Sequence, residues 1–166
     1  MVAHCTAKGL DAREGDLFAH LAAQDDASLG GVFMGQVVEH LPPDALAALA
    51  PLVFRKLRPG GVFVAETINP MCLTTFSGAF YADPTHMKPV HPEALGHFLR
   101  AAGFAEPELI PGAPVPDTDR LAELREAAPL EPHLKELVLQ ANANIRRLNG
   151  LLYSHANYAL AARRPA

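Results

Sequence analysis

With 166 residues, 49% hydrophobic and 19% charged, the chain is long enough for one domain with a real core and too short for two comfortable ones. A net charge of −4 removes any general attraction to nucleic acid or to an anionic membrane. No apolar run approaches the roughly 20 residues that span a bilayer. Lys8, Asp11, Arg13, Glu14 and Asp16 occupy the stretch where a signal peptide would be apolar, so a cytoplasmic protein is expected.

The chain opens with a helical stretch, Met1 to Lys8, that Gly9 closes. Leu10 to Glu14 reads as a short strand ending at Gly15-Asp16, and Leu17, Phe18 and Leu21 mark a short amphipathic helix. Gly30-Gly31 leads into a strand over Val32 to Gly35. Asp44 opens a helix with Leu46, Leu49, Leu52, Val53 and Leu57 on one face, kinked at Pro51 and stopped by Arg58-Pro-Gly-Gly61. Val62 to Ile68 is a nearly continuous apolar run, the pattern of a centre strand covered on both faces.

From Met71 to Val90 no period holds. Phe76, Phe80, Tyr81, Asp83, His86 and Lys88 indicate a long ordered loop over a pocket. His91-Pro92 begins a helix carrying Leu95, Phe98, Leu99 and Ala102, ended by Gly103 and followed by a strand over Phe104 to Ile110. Pro111 to Pro116 reads as a stiff connection. Helices are expected over Asp117 to Ala127 and over Glu131 to Leu148, the latter ended by Gly150, and Leu151 to Ala162 as a last strand at or near the sheet edge.

Alternating strands and helices predict an α/β fold whose ligand crevice lies at the carboxyl ends of its parallel strands. Gln36, Glu39 and His40 follow the strand at Val32, and Glu66, Thr67 and Asn69 end the strand at Val62, so both groups should face that crevice. Cys5 and Cys72 are too few and too far apart for a disulfide framework or a cysteine zinc site.

The succession Gln-Val-Val-Glu-His-Leu after a strand, Leu-Arg-Pro-Gly-Gly before the next, and Glu-Thr-Ile-Asn-Pro at its end resembles class I S-adenosylmethionine-dependent methyltransferases. The resemblance runs from about Gly9 to Arg164. The loop Tyr81-Ala-Asp-Pro-Thr-His86-Met-Lys-Pro-Val-His91-Pro is similar to one in polysaccharide-associated members, a group close to the ubiquinone-pathway enzymes. It implies a Rossmann-like, mostly parallel sheet with helices on both faces and a helical insertion over 111–150 before the last strand, all within a single domain, 1–166. It also implies that the family's first βαβ portion, with its glycine-rich turn and ribose-binding acid, is lacking.

Mapped onto this chain, the resemblance implies that Asp16 accepts from the adenine amine of S-adenosylmethionine beside the Leu17 amide. Gln36 and Val37 would lie along the methionine part. An alternative reading of Asp16 is a helix cap. By position, His40, His86 and His91 are the candidate catalytic bases for methylating a hydroxyl of a sugar or other small molecule. The remaining histidines are given no role.

Glu39 and His40 with a later histidine, His86 or His91, also resemble a cluster that holds a divalent ion in some relatives, although those carry Glu at the position of Gln36. The competing expectation, and the one preferred on sequence, is no metal, with Glu39 and His40 capping the Asp44 helix and orienting the crevice. A small-molecule acceptor is the expected partner, with neither nucleic acid nor membrane. An exposed sheet edge leaves room for a second copy or another chain to complete the sheet. The alternative to an enzyme is a non-catalytic module that pairs through that edge.

Overall fold

In the computed structural model, residues 2–78, 80–125 and 131–166 are described. Helices α1 (Val2–Ala7), α2 (Leu17–Ala22), α3 (Pro43–Lys56), α4 (Pro92–Ala101) and α5 (Pro132–Leu152) flank a four-stranded sheet. Its strands β1 (Leu29–Gly35), β2 (Leu57–Ile68), β3 (Glu108–Pro114) and β4 (His155–Arg163) lie in the order β1-β2-β4-β3. The β1–β2 pair is parallel, and β4 runs antiparallel to both β2 and β3.

Strand β2 is the centre of the molecule, hydrogen-bonded on both sides. Phe63, Ala65 and Thr67 point into the buried face, while Val62, Val64 and Glu66 on the other face are half-buried, the alternation a pleated strand imposes. Helix α3 covers the buried face with Leu46, Leu49, Ala50 and Val53, a helical stripe, and α4 adds Leu95 and Leu99. Each large apolar side chain so buried stabilises the fold by about 1.5–3 kcal/mol. Pro51 sits inside α3, which continues through it to Lys56. At the end of α3 the Arg164 guanidinium lies 4.8 Å from the Phe54 ring centroid. Its Nη1 donates to the carbonyls of Phe54 at 2.9 Å and Leu57 at 2.6 Å. A cation thus satisfies the orphan carbonyls of that terminus and complements its dipole.

Several elements differ from the sequence expectation. Leu10–Glu14 is irregular and joins no strand among the described residues; it is largely exposed, and the Leu10 amide donates to the Cys5 carbonyl at 3.1 Å. Arg58–Gly61 does not separate helix from strand. Leu29 pairs with Leu57 and Gly31 with Val62, so these residues form an irregular step inside β2, turned by Gly60 at φ +77°. Strand β3 lies later than expected and takes in Pro111 and Pro114. It can do so as the sheet's end strand, where one side makes no ladder bonds. Strand β4 begins at His155 rather than Leu151 and lies next to the sheet's end, between β2 and the end strand β3. Gly150 lies within α5, which runs on to Leu152.

The helix expected over 117–127 is absent from 117–125, beyond a 3-10 turn at Asp117–Asp119; residues 126 and 127 lie outside the described residues. Instead, two asparagines one heptad apart on α5 hold this segment by its backbone. Asn142 accepts from the Leu124 amide at 2.8 Å and donates to its carbonyl at 3.0 Å, and Asn149 does the same for Leu121 at 3.0 and 2.9 Å. Asn→Ala at both positions should free the segment. Limited proteolysis then cuts within 121–125 at least several-fold faster than in the parent, with α5 itself intact by circular dichroism.

Candidate active site

Strand β1 ends in a forced turn. Gln36 has φ +55°, a left-handed conformation rare for a non-glycine residue, and is held there because its amide donates to the Glu66 carbonyl at 2.8 Å. Its side-chain amide donates to Glu66 Oε1 at 3.2 Å, which also accepts from Asn157 at 2.7 Å. A Cβ on Gly35 would lie 3.1 Å from the Phe33 ring and 3.5 Å from Glu66 Oε2, so the strand end is open because residue 35 is glycine.

Beside this turn lies an open cleft of about 720 Å³, lined among others by Asp11, Asp16, Leu17, Phe33, Met34 and Val37. Three of the expected cofactor residues, Asp16, Leu17 and Val37, line this cleft, and Gln36 adjoins it in the chain. Asp16 also caps α2, its Oδ1 accepting from the Ala19 amide at 2.8 Å, so the capping role is real. A carboxylate has further acceptor sites, and Oδ2 remains available to a ligand amine. Charged and polar side chains, Arg13, Glu14 and His20 among them, share the cleft's lining with the apolar ones, and Gly15 and Gly35 border it as well.

Two residues beyond Val37, a second group converges. One donor atom each of Glu39, His40 and His86 lies within 4.8 Å of the others. Glu39 is fully buried, and neither carboxylate oxygen has a hydrogen-bond partner among the described residues. The expectation that Glu39 and His40 cap the Asp44 helix is thus corrected: α3 takes Pro42 as its N-cap residue without a side-chain bond, and both side chains turn elsewhere. The backbone explains why. The Glu39 carbonyl accepts from the amides of Met87 at 2.9 Å and Lys88 at 3.3 Å, which ties the long loop to the 3-10 turn Val38–His40.

Side chains of the loop's described residues pack on one another. His86 Nδ1 lies 2.6 Å from the Phe80 carbonyl, and its ring stacks on Phe80, itself buried, at 4.9 Å. The rings of His40 and His86 are 4.6 Å apart. His40 Nδ1 lies 2.9 Å from the Thr85 hydroxyl, which donates to Asp83 Oδ1 at 2.6 Å. Asp83 also accepts from the Thr85 amide. The Thr85 hydroxyl and then its amide hold the Asp83 carboxyl below its usual range. The buried Tyr158 hydroxyl donates to the Val90 carbonyl at 2.8 Å and is pushed upward, by burial first and then by the Glu39 charge.

His91 does not join this cluster. It is the N-cap residue of α4, its Nδ1 accepting from the Glu93 amide at 3.2 Å. Asn69 is buried in backbone contacts, donating to the His155 carbonyl and accepting from Met71, whereas the buried Thr67 hydroxyl has no partner among the described residues. Asp83, Thr85 and Tyr158 were not singled out as site residues from sequence. The Asp-Pro-Thr turn was the available signal for the first two; Tyr158 had none.

A parallel β1–α3–β2 unit with its cleft and polar cluster at the carboxyl end of β1 defines a Rossmann-like ligand-binding fold. A crystallised S-adenosylmethionine-dependent methyltransferase from Archaeoglobus fulgidus is 32% identical, with a TM-score of 0.87 over 99% of this chain and 72% of that one. The chain belongs to the S-adenosylmethionine-dependent methyltransferases. The same fold recurs in a Thermotoga maritima methyltransferase described as a possible histamine N-methyltransferase, 14% identical, with a TM-score of 0.60 over 99% of this chain and 68% of that one. It recurs also in the [4+2]-cyclase SpnF, 16% identical, with a TM-score of 0.55 over 99% and 62%. No family model and no curated protein matches the sequence. Among the described residues no helix is long and apolar enough to cross a membrane.

Proposed function

We propose that this chain methylates a hydroxyl group of a sugar or another small molecule. The observation that carries the reading is a histidine pair and a buried, unpartnered carboxylate placed two residues from the wall of the cofactor cleft. Bound in that cleft, S-adenosylmethionine supplies an electrophilic methyl group and leaves as a neutral thioether. A hydroxyl is a poor nucleophile until its proton is removed, and a positioned histidine does so near neutral pH. His40 is the proton acceptor in this reading, with His86 packed against it. The positive charge then rests on imidazole, where the Glu39 carboxylate compensates it. Asp16 accepts from the adenine amine, and Gln36 and Val37 border the methionine part.

The test is transfer of a labelled methyl group to a panel of sugars and phenols beside a matched panel of amines. Labelled ethers, reduced by about 100-fold or more in the His40→Ala variant, support the reading. Transfer to the amines alone contradicts it.

A second reading has its own support. Two imidazoles and a buried carboxylate within 4.8 Å form a donor set suited to zinc or manganese more than to magnesium. Dialysis against zinc and against manganese, followed by elemental analysis, decides it: one ion per chain in the parent, and none in Glu39→Leu, favours the ion. No bound metal in the parent retires it.

A further inference from the structure

We propose that Thr85 and Asp83 are positioning residues for His40, holding its ring as the Nδ1–H tautomer so that Nε2 carries the free lone pair. The proposal rests on the reading of His40 as proton acceptor and goes beyond it by assigning the groups that set its chemistry. A threonine hydroxyl has one proton. At Thr85 that proton goes to Asp83 Oδ1, 2.6 Å away, and a carboxylate only accepts. Toward His40 Nδ1, at 2.9 Å, the same oxygen can therefore only accept, so the imidazole nitrogen donates. The chain of donors runs in one direction, from His40 through Thr85 to Asp83.

Asp83 is itself fixed, because its Oδ1 also accepts from the Thr85 amide at 2.8 Å and closes the turn around Pro84. The loop holding this turn is pinned by the Glu39 carbonyl on one side and by Tyr158 through Val90 on the other. His86 obeys the same rule by a different route. Its Nδ1 faces the Phe80 carbonyl, which only accepts, so its Nε2 is likewise the lone-pair atom. Orienting one imidazole nitrogen by a hydrogen bond to fix the function of the other is a general device. Here an uncharged hydroxyl stands between the histidine and the acid, so the acid orients without forming an ion pair of its own with the ring.

The test is a long-range proton–nitrogen correlation spectrum of the full chain labelled with nitrogen-15 at histidine, at alkaline pH where the ring is neutral. His40 is assigned by the loss of its signals in His40→Gln. The proposal expects a pyrrole-type Nδ1 and a pyridine-type Nε2 for His40 in the parent and in Thr85→Ser, which keeps the hydroxyl. In Thr85→Val it expects both nitrogens to move toward averaged positions, with kcat reduced about tenfold and KM for S-adenosylmethionine unchanged. A parent His40 protonated at Nε2, or the same pattern in Thr85→Val as in the parent, overturns it, and the parent spectrum alone suffices if Thr85→Val fails to fold. The expected spectra without any transfer to hydroxyls support the relay and contradict only the hydroxyl reading.

Discussion

Replacing Glu39 with leucine is expected to raise the stability of the protein while lowering methyl transfer by about 100-fold. Glu39 is fully buried with both carboxylate oxygens unpartnered among the described residues, an arrangement that costs free energy wherever it occurs. Leucine has a similar volume and no polar atom, so it removes the desolvation penalty without leaving a cavity, a gain of about 2 kcal/mol. For a chain of this size that corresponds to roughly 4–8 °C in the unfolding midpoint, read by circular dichroism. A group retained against stability is the mark of a functional one. A lower midpoint in Glu39→Leu contradicts this account, because it shows that the carboxylate makes a favourable contact in the folded protein.

Phe63→Ala is expected to cost about 3–5 kcal/mol. Phe63 is 1% exposed on the central strand, its ring 6.2 Å from that of Phe104, which in turn packs edge-on against Phe54 at 5.1 Å. Removing it opens a void between β2 and the helices over it. Domains are stable by only about 5–15 kcal/mol, so the variant should be partly unfolded at moderate temperature. Urea unfolding gives the value directly: the midpoint falls while the slope stays that of the parent. A loss under about 1 kcal/mol contradicts the placement of Phe63 in the core.

What the sequence made legible were the features carried by local pattern. The helical stripe from Leu46 to Val53, the apolar run Val62 to Ile68 and the Pro-started helix after His91 appear where periodicity and capping put them. Asp16, Leu17 and Val37, which the resemblance grouped, line one cleft. Features set by partners distant in sequence were not legible. Residues 121–124 have helical composition, but two asparagines on α5 claim their backbone, and propensity of a few tenths of a kcal/mol per residue does not outweigh four hydrogen bonds. Pro111 argued against a strand because its lack of an amide matters in a sheet interior, and the end position of β3 removes that objection. His91 could not be told from His86 by type or spacing. Only the folded loop puts one against His40 and the other on a helix terminus.

The central claim is that the cleft beside β1 and the cluster at Glu39, His40 and His86 work as one methyl-transfer site. Calorimetric titration of the 166-residue chain with S-adenosylmethionine tests it most directly, with Asp16→Ala as the control. Because the cleft is open, with Phe33 70% exposed on its wall, the account predicts weak but saturable binding with one cofactor per chain. The dissociation constant should be on the order of 1 mM or below, about 4 kcal/mol, and weaker by about tenfold in Asp16→Ala. No heat of binding at millimolar cofactor, from a parent chain shown to be folded, contradicts the claim and favours a module that acts by pairing through its sheet edge.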